Sequence, residues 1–130
     1  TPNIPEAEIL TKNKIKSVDD MIYAGKILLN LGAQNVLVKG GHLNTRIVQD
    51  VFVSKNETKV FKNKKITTKN THGTGCSLSS AIAAEIAKGK TVVDAVQVSH
   101  QWLQGALKKA DKLDIGKGHG PVHHFHEFWS

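Results

Sequence analysis

The residues best suited to chemistry lie in Asn70-Thr71-His72-Gly73-Thr74-Gly75-Cys76-Ser77. The stretch follows an expected strand and leads directly into an expected helix. Two glycines let the backbone turn sharply and approach a ligand, while a helix start offers unpaired N–H groups and a positive dipole end. That combination holds a phosphate or a developing anion. Cys76 sharpens the expectation, because a thiol at a helix N-terminus has a lowered pKa and becomes a better proton acceptor or nucleophile. Two blander readings stay open: a glycine-rich turn is often only a tight loop, and a lone cysteine is often a small buried hydrophobe.

Two further sites carry weaker signals. Asn3-Ile4-Pro5-Glu6 sets an amide and a carboxylate three residues apart beside a proline-fixed turn. Asn3 can equally cap a helix beginning at Pro5, with Glu6 favourable in its first turn. Val38-Lys39-Gly40-Gly41-His42 ends a short apolar run with a cation and two glycines. Ligands bind at the carboxyl ends of strands in open α/β sheets, although a lysine there is more often simply solvated.

Three helical patterns and several strands must position these residues. Ser17 caps a helix through Val18, Met21, Ile22, Ile27, Leu28 and Leu31, with Asp20 three residues after the cap and Gly32 as its stop. A second helix is expected over Cys76 to Lys88, closing at Gly89, and a third from Thr91 to near Ala110. Asn35 to Lys39 is an almost uninterrupted apolar run, as in a strand buried on both faces. Ile47 to Ser54 reads as a strand; Lys59-Val60-Phe61 and Lys65-Ile66-Thr67-Thr68 read as shorter ones joined by a turn at Asn63. This order predicts an α/β fold with a mixed, mainly parallel sheet. Gly116 to Pro121 is too rich in glycine for regular structure.

Composition excludes several classes. At 130 residues and 39% hydrophobic content, one domain can bury a working core. No apolar stretch approaches the roughly 20 residues needed to span a bilayer, so no membrane partner is expected. The absence of a basic-then-apolar leader points to a cytoplasmic protein. With Cys76 the only cysteine, there is neither an internal disulfide nor a cysteine-rich zinc site. The chain begins Thr1-Pro2-Asn3 and its only methionine is Met21, which processing, truncation or a numbering choice each explain, so a place in a longer protein stays open. A net charge of +7 suits a polyanion, a small anionic ligand or mere solubility. Lys55, Lys59, Lys62, Lys64, Lys65 and Lys69 form a basic run without interleaved aromatics, which favours a solvated face over nucleic acid. His119, His123, His124 and His126 crowd the end, where a metal is the minor reading.

Thr1-Pro2-Asn3-Ile4-Pro5-Glu6-Ala7, Val36-Leu37-Val38-Lys39-Gly40-Gly41-His42, Thr71-His72-Gly73-Thr74-Gly75-Cys76 and Gly118-His119-Gly120-Pro121-Val122 occur in that order. Together they resemble the C-terminal half of the hydroxymethylpyrimidine/phosphomethylpyrimidine kinases, the thiamine-pathway members of the ribokinase-like superfamily. The resemblance runs through nearly the whole chain. It implies residues 1–130 as the nucleotide-side and anion-hole part of one three-layer α/β/α kinase domain, with the N-terminal half absent.

The resemblance also implies roles. Glu6, with Asn3 in the family's Asn-x-x-Glu element, helps place Mg²⁺. Lys39 lies near the nucleotide phosphates, with Asn3, Thr71 and Gly118 also on the nucleotide side. Gly73, Thr74, Gly75 and the Cys76 backbone form the anion hole. Cys76 stands where the wider superfamily has an aspartate acting as base, as in the pyrimidine-kinase branch. The implied reaction is phosphoryl transfer from ATP to hydroxymethylpyrimidine, a pyrimidine alcohol, and to its monophosphate. A pyridoxal kinase of the same branch is the nearest alternative; a non-catalytic, self-associating fragment is the alternative from another class. Loss of sheet neighbours implies a homo-oligomer for the chain by itself.

Overall fold

A computed structural model describes residues 1–41 and 46–129. His42, the last residue of the lysine motif, lies outside the described residues. The chain forms two units, Thr1–Lys65 and Ile66–Ser130.

In the first unit, α1 (Ile4–Thr11) and α2 (Val18–Asn30) precede a sheet of β1 (Asn35–Val38), β2 (Ile47–Ser54) and β3 (Thr58–Lys64). Both helices start on reciprocal caps. Asn3 Oδ1 accepts the Glu6 N–H at 2.9 Å while Glu6 Oε2 accepts the Asn3 N–H at 2.8 Å. Ser17 and Asp20 repeat the arrangement at α2. Asp20 Oδ2 accepts the N–H groups of Lys16 and Ser17, each at 2.9 Å. The Lys16 N–H, then the Ser17 hydroxyl, hold the Asp20 carboxyl below its ordinary pKa. The core gathers Ile4, Ala7, Ile15, Met21, Ala24 and Leu28 against Val36, Val38, Val51 and Val53. Leu37, Phe52 and Phe61 are also buried, so β1 and the centre of β2 are covered on both faces.

The sheet runs β1-β2-β3 and is antiparallel throughout, with Val36 opposite Val53 and Val51 opposite Val60. This corrects the expectation of a mainly parallel sheet. Among the described residues, parallel pairing appears only in two isolated bridges, Asn3 with Lys39 and His72 with Pro121. The cause is the connections. Residues 39–46 and 55–57 are each shorter than the dozen or more residues that a parallel crossover requires. A run of apolar residues reports burial on both faces and carries no information about strand direction.

A second correction concerns Asn63. No turn forms there: β3 continues to Lys64, and Asn63 pairs with Val48. The eight residues of β2 provide a ladder long enough to hold Asn63 extended, and residues 65–68 lie outside any strand. As an edge strand, β3 carries exposed Lys59, Lys62 and Lys64, with the Lys59 ammonium 5.1 Å from the Phe61 ring centre.

The second unit contains α3 (Thr74–Ala87), α4 (Val92–Lys108) and a 3-10 turn over Ala110–Lys112. Thr91 caps α4 by accepting the Asp94 N–H at 3.2 Å. Leu78 and Ile82 on α3 and Ala95, Val96, Leu103 and Ala106 on α4 are buried. Beyond the turn the chain is irregular, yet it buries Val122, His123 and His126. No described helix is long and apolar enough to cross a membrane.

Candidate active-site elements

The first unit brings Asn3, Glu6 and Lys39 together. The Lys39 N–H donates to the Pro2 carbonyl at 2.9 Å, and Asn3 and Lys39 form the parallel bridge. The start of α1 is thereby fastened beside the end of β1. Glu6 is exposed; its Oε2 serves the cap, and its Oε1 has no hydrogen-bond partner among the described residues. The helix-cap reading of Asn3 and Glu6 is therefore observed, and it leaves one carboxylate oxygen available.

Lys39 is half-buried at a turn with little freedom. The Gly40 N–H donates to Asp50 Oδ1 at 2.7 Å, and a Cβ on Gly40 would lie 2.0 Å from the Gln49 carbonyl oxygen. Only glycine fits so close an approach. Sequence reasoning missed Asp50. An acid inside the apolar run Val48 to Val53 was the available signal, but its partner was not readable. A cleft of about 850 Å³ lies elsewhere in this unit, between the end of α2 and the β2–β3 turn, and contains none of the three site residues.

The second unit gathers Thr71, Gly73, Thr74, Gly75 and Cys76 at the start of α3. The helix begins at Thr74, two residues before the expected Cys76, because Gly73 is its cap. Gly73 has φ +77°, the left-handed region that glycine enters without strain. It offers no side-chain oxygen, and no side chain caps α3. The Thr71 carbonyl accepts both the Thr74 hydroxyl at 2.6 Å and the Thr74 N–H at 3.3 Å. The Ser77 N–H closes the first helical bond to the Gly73 carbonyl at 2.8 Å. Between them, the Gly75 and Cys76 N–H groups have no acceptor among the described residues.

These two amides point their partial positive charge out of a helix start, which is the arrangement an anion requires. Cys76 occupies the third helical position with its thiol exposed. Gly118 lies in an exposed, irregular stretch, and a side chain there would meet nothing within 4 Å. The chain closes on the turn two residues later, where the Gly120 carbonyl accepts the His72 N–H at 3.1 Å.

The terminal histidines have separate occupations. His119 Nδ1 lies 3.1 Å from the Lys69 carbonyl, His124 Nε2 lies 2.8 Å from Ser77 Oγ, and the His123 ring meets Trp129 edge-on. Among the described residues no three His, Cys, Asp or Glu side chains are grouped to hold a metal ion. Asn3, Glu6 and Lys39 belong to one unit, and Thr71 to Cys76 with Gly118 belong to the other.

Residues 1–123 match the family described as phosphomethylpyrimidine kinase. Over 130 residues the chain is 42% identical to a hydroxymethylpyrimidine/phosphomethylpyrimidine kinase of Rhizobium meliloti (strain 1021), covering 99% of this chain and 49% of that protein. It thus spans about half the length of the relatives it matches. Its fold is similar to pyridoxal kinase from Staphylococcus aureus in complex with AMP-PCP, with a TM-score of 0.90 and 29% identity over 98% of this chain and 46% of the other. It is also similar to phosphomethylpyrimidine kinase from Clostridium difficile 630, with a TM-score of 0.68 and 42% identity over 82% and 41%.

Proposed function

The chain belongs to the phosphomethylpyrimidine kinase family, and from that premise we propose that it is the nucleotide-side part of an ATP-dependent, cytoplasmic kinase acting on hydroxymethylpyrimidine and its monophosphate. The observation that carries this reading is the α3 start, where Gly73 at φ +77° leaves the Gly75 and Cys76 amides unpaired. In this reading the two units contribute to one three-layer α/β/α ribokinase-like domain, and residues beyond this chain supply most of the acceptor pocket.

The residues present suit the groups such a reaction needs. Mg²⁺ keeps several waters and takes one or two carboxylates together with substrate phosphates, which suits the single free oxygen of Glu6. Bound there, the ion would neutralise charge on the nucleotide phosphates. Lys39 adds a cation for those phosphates, and Asn3, Thr71 and Gly118 flank the nucleotide. Two amides with no acceptor at the α3 start suit a transferring phosphoryl group.

The chemistry balances simply. When the acceptor is the alcohol, its hydroxyl gives its proton to Cys76 Sγ, acting as base, as its oxygen bonds to the γ-phosphorus of ATP. When it is the monophosphate, an ionised phosphate oxygen forms that bond and no proton need move. The bond from that phosphorus to the bridging oxygen breaks, and ADP leaves with the electron pair. Gly73, Thr74, Gly75 and the Cys76 backbone hold the moving group in line.

Identity favours the pyrimidine substrate, since the pyrimidine-kinase relatives reach 43% where pyridoxal kinases from Bacillus subtilis and Staphylococcus aureus stand at 35% and 29%. The higher TM-score belongs to the pyridoxal kinase, and that observation keeps pyridoxal as the second reading. A coupled assay of the complete enzyme with both alcohols decides between them. Turnover of hydroxymethylpyrimidine and its phosphate is expected, and turnover of pyridoxal alone would reverse the assignment. The 130-residue chain by itself is expected to self-associate, to bind ATP weakly and to phosphorylate neither alcohol. A monomer in sedimentation with turnover would show that the chain needs no further residues.

A further inference from the structure

The α3 start combines two demands that conflict. To bind an anion it must leave amides unpaired, so no side chain caps it. Yet a Gly-Thr-Gly turn has high backbone freedom, and a loop that must order itself around a ligand loses affinity in doing so. Something other than a cap must therefore order it.

The irregular segment 118–124 meets the turn on both sides of its glycines. Upstream, the His72 N–H donates to the Gly120 carbonyl at 3.1 Å and His72 bridges Pro121. His119 Nδ1 reaches the Lys69 carbonyl at 3.1 Å. Gly120 packs so tightly that a Cβ there would lie 2.3 Å from Asn70 Oδ1. Asn70 is itself buried, with its Nδ2 donating to the Ala110 carbonyl at 3.0 Å. Downstream, His124 Nε2 lies 2.8 Å from Ser77 Oγ, in the first turn of α3 and next to Cys76. The segment is anchored between these points: Val122 is fully buried, and the His123 N–H donates to the Ala106 carbonyl at 3.1 Å.

We propose that residues 118–124 form a strap that pre-orders the anion-binding turn, and that His124 is a positioning residue acting through Ser77. The strap grips the chain before Gly73 and after Cys76 and leaves the amides between them free. The proposal rests on the reading of this turn as a phosphate site. It gives the terminal histidines a task that requires no metal.

The test uses the isotopically labelled 130-residue chain, inorganic phosphate as the probe, and three single variants: His124→Ala, His124→Gln and Ser77→Ala. In the wild type, phosphate should shift the Gly75 and Cys76 amide resonances. Loss of one neutral hydrogen bond predicts about fivefold weaker phosphate binding in His124→Ala and Ser77→Ala. Combining His124→Ala with Ser77→Ala in a fourth, double variant should weaken binding no further than either alone, since both remove the same contact. His124→Gln, which retains a hydrogen-bonding group, should recover most of the affinity. Without phosphate, the Ser77 amide should exchange faster in His124→Ala than in the wild type. Equal phosphate affinity in the wild type and His124→Ala overturns the strap. If phosphate leaves the wild-type Gly75 and Cys76 amides unmoved, the phosphate reading falls separately. Ser77 exchange then decides the strap alone, and unchanged exchange refutes it. Should His124→Ala unfold, Ser77→Ala and His124→Gln carry the same comparison.

Discussion

Around Asn3 and Lys39 the polar backbone is bonded inward, whereas at the start of α3 it is left open. In the first cluster a capping box satisfies the α1 start, and the Lys39 and Gly40 amides are both taken, by Pro2 and Asp50. What remains for a ligand is side-chain charge, the Glu6 carboxylate and the Lys39 ammonium. In the second cluster the cap is a glycine without a side chain, and what remains is backbone, the Gly75 and Cys76 amides. The difference teaches a division of labour. On the proposed function, formal charges would hold an ion and phosphates that stay put, while fixed dipoles would meet a phosphoryl group whose charge changes during transfer. Dipoles already oriented need no reorganisation at that moment.

The sharpest way to break this contrast is at Cys76, the one side chain of the open cluster given a chemical role. Cys76→Ala in the complete enzyme should lower turnover by about 10²-fold or more and leave nucleotide affinity nearly unchanged. Cys76→Ser should do little better, because a hydroxyl is a far poorer proton acceptor at neutral pH. Wild-type turnover in the alanine variant would reduce Cys76 to packing.

A smaller effect is expected in the bonded cluster, where cap and charge separate cleanly. Glu6→Gln preserves a capping side chain and removes the charge, so the Mg²⁺ concentration for half-maximal activity should rise several-fold with little change in stability. Asn3→Ala does the reverse, costing about 1 kcal/mol of stability through the lost cap. A Mg²⁺ dependence untouched by Glu6→Gln would leave that carboxylate as a cap alone.

The smallest effect is on the acid side of the pH profile. The Lys16 N–H and the Ser17 hydroxyl hold the exposed Asp20 carboxyl below its usual pKa. A depressed folded value contributes stability above the unfolded pKa of about 3.9, and that contribution is lost as pH falls through the folded value. Amide exchange at Ser17 and Asp20 should therefore quicken in that window. In Asp20→Asn the same amides should lose this acid dependence.

The capped helices were legible because their signals are local. Ser17 and Asp20 mark α2 within four residues, and Thr91 with Asp94 does the same for α4. The α3 start was misplaced by two residues because its cap, Gly73, works through a left-handed backbone angle and carries no side-chain signature. Sheet direction is not carried by the apolar run of β1. It was legible instead in the short connections between the expected strands, too short for a parallel crossover, and Asn63 shows a ladder overriding a turn-prone residue. In the candidate sites, the motif residues were readable as a resemblance, but their supports were not. Asp50 beneath Gly40, Asn70 against Gly120 and His124 on Ser77 join residues far apart in the chain, and no local pattern announces them.

Lys59, Lys62 and Lys64 stand exposed along β3, one of the two outer strands of the sheet. An outer strand is a template on which a second copy can crystallise into a longer sheet, and a row of ammonium groups makes that approach repulsive. Part of the surplus of basic residues would then act as colloidal insurance rather than serve an anionic ligand. Its value is greatest while newly made chains are crowded and not yet fully packed. Succinylating these lysines would reverse their sign and keep the repulsion, whereas acetylating them would remove it. Turbidity over days should separate the two preparations, with the acetylated one clouding first.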